Sequence, residues 1–354
     1  MLKKIFITVV GALLILNSCN SNPVIPPEIQ PGRRDYTWTV DTVNYPNYLT
    51  RIWGSSPTDV WCVGPAGDLY RTIWHFDGEK WSTDNIFRPI SPASVFGFSN
   101  DNVYIGTGRG KIWHFDGTVW TEVAALTKDG HNNIAFDNMW GESPNDFYAF
   151  GAYAEQNNLY NNSVIAHYSS SNWTILNTDG LQGIVERFYR NEPDRKFYVQ
   201  TYKIGGGQYP DSTLIYEYTP VLLIPKKYNR IYGSIETKGQ QADISVINGE
   251  VYFVLGNEIA KRVNNKFQTY LTVDNPNFYQ RIWGRNSKDI FLLMTDGLAH
   301  YNGNDIEYLF YFNKPRTQIY IGGAALFDSE VFFLADEFST GLYLIYHEKL
   351  NDRG

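Results

Sequence analysis

RIWGSSPTDVWCVG, residues 51–64, sets an aromatic–glycine pair six residues ahead of an aspartate and follows the aspartate with an apolar, aromatic run. The arrangement recurs without gaps in SVFGFSNDNVYIG (94–106), NMWGESPNDFYAFG (138–151) and RIWGRNSKDIFLLM (281–294). It pairs Trp53 with Asp59, Phe96 with Asn102, Trp140 with Asp146 and Trp283 with Asp289. A second half repeats behind the first. His75, His114 and His167 each stand six residues before a tryptophan (Trp81, Trp120, Trp173), and His300 stands six before Ile306. Between them lie DGEK, DGTV, SSSN and NGND. Asp-Gly and Asn-Gly favour tight hairpin turns, whose central residues need positive φ.

A unit of about 40–50 residues made of short strands and turns is the sequence signature of a propeller blade. Weaker copies place strand anchors at Tyr198, Tyr252 and Phe332, in line with Trp61, Tyr104, Tyr148 and Phe291. The fold expected is an all-β, seven-bladed β-propeller, with six or eight blades as the alternatives. The last unit lacks an outer strand, and YTWTVDTV (36–43) is placed to supply it, with Trp38 where the first blade has Trp81. Four histidines at one position of four units read as structural. His75 and Asp77 alone give too few ligands for a metal.

The pattern W-G-x-S-P-x-D-V-W-x-V-G, followed by I-x-H-x-D-G-x-x-W, resembles the repeat of bacterial secreted β-propeller proteins, many of them lipoproteins. It is also distantly similar to the propeller of the photosystem II assembly-factor-like family. The resemblance covers residues 36–350 and implies a fold rather than an activity. The sialidase Asp-box, the WD40 pairs and the quinoprotein repeat do not recur in the chain.

The N-terminus begins MLKK and continues with an apolar run from Ile5 to Leu16, the length of a signal-peptide core. LNSC (16–19) resembles a bacterial lipobox, which implies lipid on Cys19. Residues 1–18 are therefore expected to be a lipoprotein signal peptide, 19–35 a Pro/Asn-rich tether and 36–350 the propeller. The location expected is the bacterial cell envelope, with membrane contact through the lipid alone. Cys62 then has no disulfide partner and reads as a buried strand thiol. The formal net charge of −7, without a basic stripe, argues against a nucleic-acid partner.

Departures from the repeat are where a ligand site is expected. Three lie on adjacent blades: the connection 123–137 and the second-to-third-strand loops 151–163 and 201–212. They carry Lys128, His131, Tyr153, Glu155, Tyr160, Tyr202, Lys203, Tyr209 and Asp211. Exposed tyrosines among charged side chains suit a protein surface or a sugar. Arg51 and Arg281, two residues before the tryptophan of their W-G pairs, are expected at the entrance of the central channel. No nucleophile motif, metal cluster, phosphate loop or cofactor signature appears. The function expected is a non-enzymatic binding or scaffold module for a protein or glycan partner. The alternative is a propeller glycoside hydrolase or lyase whose carboxylates converge from separate blades.

Overall fold

The computed structural model describes residues 28–352 apart from 44–47, 66–67, 155–159, 206–210, 220–225, 233–241, 313–318 and 338–339. Every regular element among the described residues is a strand, and the strands form seven four-stranded antiparallel sheets in a ring. Six sheets are simple meanders, with inner strands Arg51–Ser56, Pro92–Ser99, Ile134–Ser143, Ile184–Asn191, Ala242–Ile247 and Phe278–Asn286. The seventh has inner strand Ile319–Leu326, then Glu330–Glu337 and Leu342–Leu350, and takes its outer strand, Tyr36–Val43, from the other end of the domain.

That closing strand pairs with Leu342–Leu350 over eight residues, from Tyr36↔Leu350 to Val43↔Tyr343. The register bears out the place expected for Trp38. In blade 1, Trp81 faces Phe76, the residue after His75. In blade 7, Trp38 faces Glu348, the residue after His347. The Trp38 ring meets Phe310 of blade 6 edge-on at 4.3 Å.

The second strand of each blade is buried on both faces, as in Asp59–Val63 and Asp289–Met294. Sheets packed face to face bury such strands from both sides. Seven hydrophobic clusters result, one in each interface between neighbouring blades. Cys62 is a free, fully buried thiol in the cluster between blades 7 and 1.

The glycine of the W-G pair has a packing reason. A Cβ on Gly97 would stand 2.7 Å from the Trp53 ring of the preceding blade, and one on Gly284 would stand 2.8 Å from Ile247. The glycine therefore makes room for the neighbouring blade. A β-bulge follows it in blades 1, 2, 3 and 6. The Asp-Gly and Asn-Gly turns behave as their sequence demands: Gly78, Gly117 and Gly303 have φ of 97°, 90° and 96°. Asp77 accepts the amides of Glu79 and Lys80, so it caps a turn and is no ligand.

Candidate functional site

The repeated histidine is one half of a cross-strand pair. His75 Nε2 meets Asp59 Oδ1 at 2.7 Å, His167 meets Asp146 at 2.8 Å and His300 meets Asp289 at 2.8 Å. His114 meets Asn102 at 2.9 Å. Each ring also lies against the strand anchor; His75 stacks on Trp61 at 4.1 Å and His167 on Tyr148 at 4.3 Å. A fifth copy escaped the sequence reading: His347 meets Glu330 at 2.8 Å and stacks on Phe332 at 3.9 Å.

The two remaining blades keep the pair in other chemistry. In blade 5, Lys261 replaces histidine, bonded to Glu250 at 2.6 Å and set over the Tyr252 ring. In blade 4 the signs are reversed, with Lys196 in the place of the acid and Glu217 in that of the base, 2.8 Å apart. All seven blades thus tie their second strand to their third by a polar bridge at the position of the aromatic anchor. That recurrence makes the histidines structural. Burial pushes Asp59 up, but hydrogen bonds from His75, Ser55 and Trp61 outweigh it and hold the carboxyl below its usual range. We expect His75→Ala and His114→Ala each to cost on the order of 1 kcal/mol, read by chemical denaturation. Lys196→Glu should destabilise blade 4 by a similar amount by setting two acids face to face, and adding Glu217→Gln should restore only part of the loss, because Glu217 also faces the buried Arg262.

The three insertions do meet on one face, the one formed by the second-to-third-strand loops and the blade connections. They are shorter as loops than the sequence suggested. The outer strand of blade 2 runs to Ala125 and blade 3 starts at Ile134. The strands of blades 3 and 4 extend as far as Ala154, Tyr160, Lys203 and Ser212. Asparagines brace them. Asn133 takes the Tyr160 hydroxyl on its side chain and the Ala154 amide on its carbonyl. Asn161 bonds both the amide and the carbonyl of Ile204 at 3.1 Å, fastening blade 3 to blade 4.

The expected exposure of the tyrosines is corrected. Tyr153 is only 9% exposed, because the lengthened strand turns it into the cluster between blades 2 and 3. Its ring lies 5.3 Å from that of His131, whose backbone pairs with Lys128. Lys128 is buried too, beside Asp129. Tyr160 and Tyr202 are half-buried. The Tyr202 hydroxyl binds Asp211, and this bond, with the Gly205 amide, holds that carboxyl below its usual range. Lys203 reaches Gln182 at 3.1 Å on the surface. Glu155, Tyr209 and Cys19 lie outside the described residues.

Arg51 and Arg281 belong to a ring of inner-strand positions two before the residue paired with each anchor. Strand pairing adds Arg187 and Asp243 to it, which sequence comparison missed because blades 4 and 5 lack the W-G pair. The members stitch blades together. Ser94 donates to the Phe136 carbonyl, Asn138 to that of Glu186, Arg51 to that of Asp137 and Arg281 to that of Gly322, at 2.7–3.0 Å. Burial pushes the Asp137 carboxyl up to about 6, opposed by Arg51 and assisted by Glu186.

The fold and this stitched, loop-crowned ring define the molecule as a seven-bladed propeller of the closed, terminally paired type. Comparison with solved structures agrees. A structure titled "YCF48 bound to D1 peptide" superposes with a TM-score of 0.59 over 92% of this chain and 100% of that one, at 15% identity. YCF48 from Cyanidioschyzon merolae gives 0.55 over 87% and 98%, at 13% identity. These likenesses, in keeping with the expected similarity to photosystem II assembly-factor-like propellers, show the fold. No protein-family profile matches the sequence, and neither does any curated protein.

Proposed function

We propose that this propeller is a non-enzymatic binding module, held at a bacterial cell envelope by lipid on Cys19, that presents its loop face to a protein partner. The observation that carries the reading is the bracing of the strand ends of blades 3 and 4 by Asn133 and Asn161. Strand ends fixed in advance lose little entropy on binding. A propeller of the same fold has been solved with a peptide bound, which supports a protein rather than a glycan as partner. The segment ahead of the closing strand supports the orientation. Gly32 donates to the Lys288 carbonyl and Arg34 to those of His300 and Asp305, all on the hairpin face of blade 6. A tether leaving from the hairpin face turns the loop face outward.

Photocrosslinking in cells tests this reading. A crosslinker at Lys203 should capture a protein partner, and one at Thr118 on the hairpin face should capture none. Capture from Thr118 alone would reverse the orientation. Cys19→Ala should release the protein from membranes or leave an uncleaved precursor; membrane retention with normal processing would remove the lipid anchor.

One group supports a second reading, a glycoside hydrolase or lyase. Asp137, on the inner strand of blade 3, feels the charge of Glu186 and has its carboxyl raised by burial into the range of a general acid. Cleavage of any member of a polysaccharide panel, abolished by Asp137→Asn at unchanged melting temperature, would replace the binding reading.

A further inference from the structure

Among the described residues of the loop face, blade 1 carries an exposed aromatic surface. Tyr70, Ile86 and Phe87 are 51%, 53% and 53% exposed, and the Tyr70 and Phe87 rings lie 5.3 Å apart. Tyr70 stands on the second-to-third-strand loop, while Ile86 and Phe87 stand on the connection to blade 2. The two loops are locked together. Arg88 donates its amide to the Leu69 carbonyl at 3.0 Å and grips Asp84 through both terminal nitrogens, at 2.9 and 2.6 Å. Arg88 is only 6% exposed, and Asp84 also accepts the Ile86 amide. A buried arginine paired to an exposed aspartate thus fixes the loop that carries these apolar side chains. Such side chains, held in place and half-solvated, are the usual anchors of a protein interface.

The surroundings select the partner. Arg71 has half its side chain in solvent, with Asp68 3.6 Å away. Arg109 stands exposed on the next blade's loop, which joins the same connection through Gly108 N–H and the Ser91 carbonyl. Arg109 has φ 62°, followed by Gly110 at φ 68°. That is the conformation for which Asn, Asp or Gly is preferred. A strained position filled by a long cation points to a contact rather than to turn stability. The nearby carboxylates are engaged, Asp84 by Arg88 and Asp68 by the Tyr70 amide and Arg71. On a chain of formal charge −7, this patch offers an apolar platform flanked by arginines. The rings are tilted by 57° rather than coplanar, which suits an inserted side chain better than a stacked sugar.

We infer that Tyr70, Ile86 and Phe87, flanked by Arg71 and Arg109, dock a partner-protein segment in which an aliphatic or aromatic side chain is bracketed by Asp or Glu. The inference rests on the protein-binding reading and adds to it a contact on blades 1 and 2 of the same face. Its test is selection of a random displayed-peptide library on the purified full-length protein. Enriched peptides should combine an apolar anchor with carboxylates and shield Tyr70 and Phe87 from hydroxyl-radical oxidation. They should lose about tenfold or more in affinity to Ile86→Ser/Phe87→Ser and to Arg71→Glu/Arg109→Glu. All five side chains are exposed, so both variants should melt with the wild type. Acidic peptides that bind both variants unchanged would overturn the patch and leave protein binding standing. No enrichment over a control protein would overturn both. Phospholipid vesicles that bind the wild type and not the variants would make the surface a membrane contact and overturn the proposal.

Discussion

Deletion of residues 36–43 is expected to unfold the propeller or to lower its melting temperature by well over ten degrees, although the segment begins next to the N-terminal tether. The strand supplies a complete outer edge to blade 7, with eight paired residues. Removing it exposes the unpaired backbone of Leu342–Leu350 and strips Trp38 from Phe310 and Val43 from the cluster between blades 7 and 1. Loss of one large aromatic contact alone costs roughly 3 kcal/mol when the ring is well buried, and somewhat less for the half-buried Trp38. The loss is not confined to one blade. Each cluster is shared by two neighbours, so a frayed blade 7 loosens blades 6 and 1 and opens the ring. Differential scanning calorimetry of the deletion beside Trp38→Ala separates the terms: the point change should remove a few degrees, the deletion most of the transition. A deletion that melted with the wild type would mean that the ring is closed by something other than this strand.

The fold was legible because it is written seven times, and the strongest copies carry residues with mechanical jobs. Trp53 lands on Gly97 of the next blade, and Asp-Gly supplies the positive φ of the hairpin. Such requirements tolerate few substitutes, so they survive as a visible pattern. The polar bridge tolerates several. Histidine with Asp, Asn or Glu, lysine with Glu, and a reversed Lys–Glu pair all satisfy it, and for that reason blades 4 and 5 looked weak and His347 passed unnoticed. The candidate site was less legible. Length marked the insertions of blades 3 and 4 and placed them on one face. It could not say that lengthened strands would absorb part of them and turn Tyr153 inward. Nor did any repeat register flag Tyr70 and Phe87. Their exposure comes from a contact between two loops, held by Arg88 and Asp84, that has no periodic trace in the sequence.

Replacing Glu348 should stabilise the protein, and by more the higher the pH. Glu348 is fully buried on the third strand of blade 7, and neither carboxyl oxygen has a hydrogen-bond partner among the described residues. It faces Val331 on one side and Trp38 on the other, with Arg285 opposing the effect of burial. Burial therefore pushes the carboxyl up to about 10, and it is a neutral acid in the folded protein at pH 7. In the unfolded chain a glutamate ionises near pH 4.3. Between these values the folded state holds a proton that the unfolded state has released. Stability from this group is thus complete below about pH 4 and falls steadily as pH rises toward 10. At pH 7 the deficit amounts to roughly 4 kcal/mol, since each unit of separation is worth about 1.4 kcal/mol. Glu348→Leu removes the ionisable group and adds apolar contact beside Trp38, and Glu348→Gln removes only the titration. Both should flatten the pH dependence between pH 5 and 9, and Leu should raise the neutral-pH stability by about 2–3 kcal/mol. Urea denaturation at a series of pH values reads the slope directly. Parallel slopes for wild type and Glu348→Leu would show that the carboxyl ionises in the folded state, and therefore that a cation or water reaches it between blades 6 and 7.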